Sequence, residues 1–257
     1  MLGRMKSTTQ ETRSIRITLL GSQRVTVDGM RVESKLSSRA LLVLVVLAVQ
    51  GSEVMTREEL AYTVWPDLSE PEARATLRRQ LYNIDHALAN GGESVLSRNS
   101  KLVSLAENLD VFVDVLEFMR LCERREAFEE AARLYRGDFA PHIDHEWTVA
   151  FRDRLRQQMC RVLDQLIAQC RMCHDERRSQ DYIERLLSVD PWREDAVREL
   201  MMQRYRRGDR AGALRYYRSF AQNLRLELDI EPMPETMRCF ETISNGSRLQ
   251  PAEGMAE

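Results

Sequence analysis

The strongest constraint on this chain is a long-range self-similarity. Ser179 to Pro191 (SQDYIERLLSVDP) superposes on the stretch from Ala213 (ALRYYRSFAQNL) at an offset of 34 residues, with Ser179 on Ala213 and Leu186 on Phe220. A 34-residue period is that of tetratricopeptide-type helix hairpins, which cannot bury an apolar face alone and must stack on neighbours. Ala127 to Tyr135 (AFEEAARLY) reads as half of an earlier unit, and about Glu146 to Arg171 as a long helix supplying packing and capping surface to a short array. The spacing therefore predicts an all-α, tetratricopeptide-like repeat domain over 109–244, followed by a disordered tail at 245–257.

Upstream of Asp114 the periodicity is different. Residues 1–13 carry no apolar pattern and read as a disordered tail. Ile15, Ile17 and Leu19 then alternate, as do Val25 and Val27 before Asp28-Gly29, which is a strand, turn, strand, turn signal. Ser37 or Ser38 caps a helix that runs to Gln50 and stops at Gly51. Thr56, followed by Arg57-Glu58-Glu59, caps a second, short helix that ends at Trp65-Pro66. Ser69 and Glu72 have the spacing of a capping box, and Pro71 sits in the first turn, where a missing N–H costs little. That third helix runs to about Ala89 and breaks at Gly91-Gly92; Ser94 to Arg98 and Lys101 to Leu105 follow as a hairpin joined at Asn99-Ser100. Sheet, three helices and closing hairpin predict an α+β winged helix-turn-helix domain over 14–108, with the hairpin as wing and Pro71 to Ala89 as recognition helix.

At 100° per residue, Ala73, Leu77, Leu81, Ile84 and Leu88 form one stripe of the recognition helix. The opposite face carries Arg79, Tyr82, Asn83 and His86 at i, i+3, i+4 and i+7, with Arg74, Arg78 and Asp85 on the flanks. Arginine pairs with guanine O6 and N7, asparagine with adenine N6 and N7, and Tyr or His with phosphate or a base edge. The same set is also what an ordinary solvated helix face carries. Arg98 and Lys101 straddle the hairpin tip, as wing residues that reach phosphate do, and Thr56 opens a helix whose backbone N–H groups are oriented for phosphate. Asp85 works against a tight phosphate grip.

Net charge is −2, and the first 120 residues balance basic against acidic side chains, so contact with nucleic acid has to come from local placement of charge. The longest apolar run, Ala40 to Val49, has ten residues against the roughly 20 that a bilayer requires, and no export signal opens the chain, which reads as cytoplasmic with no membrane partner. Five cysteines, an odd number, read as reduced thiols. Cys170-Arg-Met-Cys173-His174 spells the c-type haem attachment pattern, but inside a helical run of a chain without an export signal; its three residues share one helical face and could join Cys160 or the His142 and His145 pair in thiol or metal sensing. Neither a P-loop, nor a dinucleotide glycine pattern, nor a Gly-x-Ser-x-Gly elbow is present. The expectation is no enzyme, no cofactor and no metal.

Taken in order, Arg39-Ala40-Leu41-Leu42, Thr56 to Leu60, Trp65-Pro66-Asp67, Ala73-Arg74 and Leu77 to Leu81 resemble the DNA-binding half of the Streptomyces antibiotic regulatory protein (SARP) family. Asp110 to Phe118, Tyr135 to Phe139, Glu146-Trp147, Asp190-Pro191, Gly208-Asp209-Arg210, Ala213-Leu214 and Glu231-Pro232 resemble the bacterial transcriptional activator domain that follows it. The resemblance covers residues 15 to 243 and implies a transcription activator that binds direct repeats near the promoter minus-35 element. It further implies a homodimer on double-stranded DNA and recruitment of RNA polymerase through its sigma and alpha subunits. Where the family commonly shows an Arg-x-Leu-Arg-like run, this chain has Asn83-Ile84-Asp85, which implies a different or weaker site. Two other classes fit the residues: a tetratricopeptide-like interaction module with a degenerate winged helix, and a thiol- or metal-responsive regulator.

Overall fold

The computed structural model describes residues 13–51, 54–89, 93–99 and 101–246, without the side chain of Arg98. The expected break at Gly91-Gly92, Ser100 of the hairpin turn and nearly all of both tails lie outside the described residues. The chain divides into two compact units, 1–155 and 156–257, with the division falling inside one long helix.

The first unit opens with β1 (Ser14–Thr18), β2 (Arg24–Val27) and β3 (Met30–Arg31). The two-residue turn between β2 and β3 places Asp28 at φ 48° and Gly29 at φ 81°. Positive φ at both central positions matches the right-handed twist of a tight hairpin, and Asp-Gly is among the few pairs that tolerate it. Three helices follow with short strands between them: α1 (Ser38–Gln50), β4 (Met55–Thr56), α2 (Arg57–Val64) and α3 (Glu70–Ala89). Ser37 caps α1, its hydroxyl accepting from Ala40 N–H at 3.2 Å, and the helix buries every residue from Leu42 to Ala48. Such a helix, apolar all round, can only stand at the centre of its unit.

The wing is β5 (Leu96–Arg98) and β6 (Leu102–Leu105), whose turn is tied by Asn99 Oδ1 accepting from the N–H groups of Lys101 (2.8 Å) and Leu102 (2.7 Å). β4 pairs with β6 and extends the wing to a three-stranded sheet in the order β4-β6-β5. Then β7 (Asp110–Val113) returns to the first sheet and lies parallel to β1, giving the order β3-β2-β1-β7. Helices α4 (Asp114–Cys122) and α5 (Phe128–Leu134) and the start of α6 (Glu146–Met172) complete this unit.

Asp114 fixes the β1 end. Its carboxylate, 1% exposed, accepts from Leu19 N–H at 2.8 and 2.9 Å and from Leu20 N–H at 3.0 Å, satisfying donors that leave the strand ladder. The Tyr135 to Phe139 motif covers the same edge: Gly21 N–H donates to Asp138 O (2.8 Å) and Ala140 N–H to Leu19 O (2.7 Å). Gly21 is required there, because a Cβ would stand 2.7 Å from the carbonyl carbon of Arg136. Phe139 packs at a tilt against Phe151 and edge-on against Trp147, at ring separations of 4.8 and 6.0 Å.

Among the described residues of the second unit the regular elements are all helices: the rest of α6, α7 (Glu176–Val189), α8 (Glu194–Arg206), α9 (Arg210–Leu228) and α10 (Pro234–Asn245). The 34-residue offset appears in the backbone. Asp175 caps α7 and Asp209 caps α9, each carboxylate accepting from the N–H three residues on, and the paired positions Ser179 and Ala213, then Leu186 and Phe220, are buried. Helices α7 with α8 and α9 with α10 are the two hairpins that the period predicts.

Candidate nucleic-acid interface

The recognition helix presents the face that its periodicity predicts. Ala73, Leu77, Leu81, Ile84 and Leu88 are buried, none above 5% exposed, and α3 packs on α1 and α2 through them. Arg74, Arg78, Arg79, Tyr82 and His86 are exposed and Asn83 is half-buried. The rings of Tyr82 and His86 stack 6.2 Å apart, one turn of helix on. Among the described residues neither Arg78 nor Arg79 has a carboxylate partner. Each is open to a bidentate contact with phosphate or guanine.

Arg74 is different. Its guanidinium Nη2 lies 2.5 Å from Glu58 Oε1 on α2 and 2.6 Å from Glu70 Oε1 one turn back on α3. Asp85, on the same flank, spends its charge elsewhere: its Oδ1 accepts from Ser94 Oγ–H (2.8 Å) and Val95 N–H (2.9 Å), so it fastens the end of α3 to the base of the wing. The negative charge that reads in the sequence as a weakness in a phosphate grip is an anchor for the hairpin.

The full reciprocal capping box forms at Thr56, whereas at Ser69 only the half supplied by the Glu72 carboxylate is seen. Glu59 accepts from Thr56 N–H (2.9 Å) and hydroxyl (2.8 Å), while Glu59 N–H donates back to Thr56 Oγ1 (3.1 Å). Glu72 accepts from the hydroxyl (2.5 Å) and N–H (3.3 Å) of Ser69. These bonds hold both carboxyls below the ordinary glutamate range, through the Thr56 N–H first for Glu59 and the Ser69 hydroxyl first for Glu72. Thr56 thus contributes to the site by setting where α2 begins, since its N–H and hydroxyl are taken by the cap and the next N–H, of Arg57, donates to Lys101 O at 2.8 Å.

That last bond joins α2 to the wing and brings cations together. A groove of about 480 Å³ is lined by Thr56, Arg57, Glu58, Arg74, Leu77, Arg78 and Lys101. Four of the expected residues, Thr56, Arg74, Arg78 and Lys101, meet there, and Arg57 joins them. The sequence does not single out Arg57, although its place directly after the cap puts it at the mouth of α2. Its Nε is buried and has no hydrogen-bond partner. Arg79, Tyr82, Asn83 and His86 do not line this groove. Arg98 belongs to β5, and its side chain lies outside the described residues.

The cysteine and histidine motif does not form one helical face. α6 ends at Met172, and His174 takes a left-handed φ of 55° in the turn before α7. Cys170 is buried, Cys173 is exposed, and burial pushes the Cys160 thiol up to about 11. His145 is held by Val64 O at 3.1 Å. Among the described residues no three His, Cys, Asp or Glu side chains are grouped to share a metal ion, and no helix is long and apolar enough to cross a membrane.

Comparison with known proteins agrees with this architecture. The bacterial transcriptional activator domain profile matches residues 115–244, half of the chain. The chain therefore belongs to that family of transcriptional regulators, and a winged helix ahead of the domain is the SARP-type order that the sequence resembles. Among solved structures it is similar to Mycobacterium tuberculosis EmbR, determined in complex with a low affinity phosphopeptide, at 21% identity and a TM-score of 0.63 over 93% of this chain and 67% of that one. At that identity the likeness concerns the fold. No curated protein sequence matches the chain significantly.

Proposed function

We propose that this protein is a sequence-specific DNA-binding transcription activator that inserts α3 into the major groove and braces α2 and the wing on the backbone. The observation that carries the reading is the outward face of α3, where Arg78 and Arg79 stand exposed, without carboxylate partners among the described residues, beside Tyr82, Asn83 and His86. Of these, Arg79 and Asn83 are the proposed base readers, and Arg78, with Arg98 and Lys101, serves the phosphates; Arg74 joins them only in the specific complex, once its carboxylates are displaced, and Thr56 acts through the cap that sets the start of α2.

Family membership supports the finer parts: direct repeats near the minus-35 element, a side-by-side homodimer on DNA, recruitment of RNA polymerase through sigma and alpha, and work in the cytoplasm. In the helical unit, exposed Leu226, Leu228, Ile230, Met233 and Met237 around the α9–α10 junction supply apolar surface for a protein partner, and favour an interaction module as the second reading.

Selection of bound duplexes from a random pool, at two salt concentrations and with Arg79→Ala alongside, tests the proposal. The expected outcome is a spaced direct repeat whose preference relaxes at one position in Arg79→Ala, with about 1 to 3 kcal/mol of affinity lost. No enrichment and no salt-dependent retention would leave the interaction module as the better account.

A further inference from the structure

We infer that Glu58 and Glu70 form an acidic lock that withholds Arg74 from DNA, at a seat for one backbone phosphodiester built from Arg57, Arg78 and Lys101. The inference rests on the DNA-binding reading above and adds a control on its specificity.

The seat is the groove between the start of α2, the middle of α3 and the wing. Arg57 is fixed to the wing by its own N–H on Lys101 O (2.8 Å), while its side-chain Nε is buried without an acceptor. Among the described residues Arg78 and Lys101 have no carboxylate partner either. Three cations around one concavity fit a phosphate.

Arg74 is the fourth cation of that groove and, among the described residues, the one whose side chain is paired with carboxylates. Both its partners are exposed, with side-chain accessibilities of 70% for Glu58 and 69% for Glu70 against 52% for Arg74. Exposed pairs of this kind are weak and screened by salt, so a phosphate pressed into the groove can displace them. Until it does, the carboxylates cancel Arg74 and repel phosphate oxygens. A loosely held duplex then meets three cations, and only one seated in register gains the fourth. Penalising the wrong complex in this way widens the ratio of specific to non-specific binding. Glu59, the neighbouring carboxylate, is consumed by the α2 cap and takes no part.

The test measures affinity of the full chain for a non-specific duplex between about 50 and 200 mM salt. In Glu58→Gln/Glu70→Gln the affinity should rise several-fold and the slope of log K against log salt should steepen by about 0.9, the value for one added phosphate contact. Arg74→Ala should leave the wild-type slope unchanged and abolish the gain in the double variant. Because these residues are exposed, unfolding midpoints should confirm intact folds. The lock is overturned if the double variant binds as the wild type does, or if Arg74→Ala alone flattens the wild-type slope by about 0.9. A second arm separates the source of the phosphate: saturable binding of inorganic phosphate by ³¹P NMR, with duplex affinity unmoved by Arg57→Ala, would make this a free-anion site and overturn the seat. Absence of salt-dependent duplex binding in every protein would sink the DNA reading itself, whereas retention by the wild type with no response to the glutamate changes sinks the lock alone.

Discussion

Arginine is used in opposite ways on the recognition helix and in the helical unit. In the latter several guanidinium groups are held. Arg193 bonds Asp164 (3.1 Å) and Asp195 (2.7 Å), Arg171 pairs with Glu199, Arg198 donates to Thr236 Oγ1 (2.9 Å), and Arg210 donates to Ile243 O (2.9 Å) at the end of α10. On α3, Arg78 and Arg79 project without such partners among the described residues. A guanidinium that is already bonded adds geometry to the fold but has little left for a ligand, and a free one adds nothing to stability and keeps its planar fork for a phosphate or a guanine. The residue type is common in both places, so its neighbours, and not its frequency, separate scaffold from interface.

The largest effect that could break this contrast is expected outside both groups, at Arg152. Its side chain donates to three carbonyls, Phe139 O and Ala140 O at 2.7 Å and Ile143 O at 2.5 Å, and holds the turn that carries the Phe139 ring. Arg152→Ala should cost about 3 kcal/mol in urea unfolding, because it strands several partly buried acceptors at once. A loss under about 0.5 kcal/mol, the range of an ordinary surface change, would show that bonded arginines are as dispensable to the fold as free ones.

Asp114 extends the comparison to carboxylates and should rank second, with Asp114→Asn costing about 2 kcal/mol because an amide nitrogen cannot accept the N–H groups of Leu19 and Leu20. Burial pushes its carboxyl above the ordinary aspartate value, outweighing the backbone N–H bonds that pull it down. The folded state therefore holds this proton more tightly than the unfolded one. Its contribution is greatest below the unfolded value and declines as pH rises through the folded value. Glu59 and Glu72, held below their ordinary range, act in the opposite sense and lose their contribution as pH falls. The stability gap between wild type and Asp114→Asn should accordingly narrow from acid toward neutral pH; a gap that widens would reverse the assignment.

Arg193 against Arg79 is the direct pair. Arg193→Ala should cost about 1 kcal/mol, modest because both acidic partners are substantially exposed, and the loss should shrink in an Asp164→Ala background. Arg79→Ala should leave stability within about 0.5 kcal/mol of wild type while DNA binding falls. Equal losses of stability for the two would erase the distinction.

Much of this was legible in the residues. The capping glutamates, the apolar stripe of α3, the Asp28-Gly29 turn and the 34-residue period all act between near neighbours, and local patterns record local physics. What the pattern could not convey is pairing at a distance. Nothing in Asp110 to Val113 says that this strand lies parallel to β1, nor that Asp114 is there to satisfy the N–H groups of Leu19 and Leu20, some 95 residues away. Met55 and Thr56 are too short a run to read as a strand, yet their pairing with β6 is what carries Arg57 to the wing. In the same way, a helical wheel puts Arg74 and Arg78 on equivalent flanks, and only the approach of Glu58 from α2 tells them apart.

The smallest predicted effect concerns the motif that looked most like chemistry. The turn from α6 to α7 and the turn from α8 to α9 are the same structure 34 residues apart. Asp175 N–H bonds Cys170 O (2.9 Å) and His174 N–H bonds Arg171 O (3.2 Å); Asp209 N–H bonds Arg204 O (2.9 Å) and Gly208 N–H bonds Tyr205 O (2.9 Å). Each is a Schellman cap whose pivot is left-handed, His174 at φ 55° in one and Gly208 at φ 85° in the other. A Cβ at Gly208 would meet nothing within 4 Å, so the two positions differ in backbone conformational cost and not in crowding. If His174 is there only to close the turn, His174→Gly should stabilise the protein by roughly 0.5 to 1 kcal/mol, and Gly208→His should destabilise it by a similar amount. Should His174→Gly instead weaken the fold, the imidazole must be making a contribution that exceeds its strain, and the likeness of the two turns would stop at the backbone.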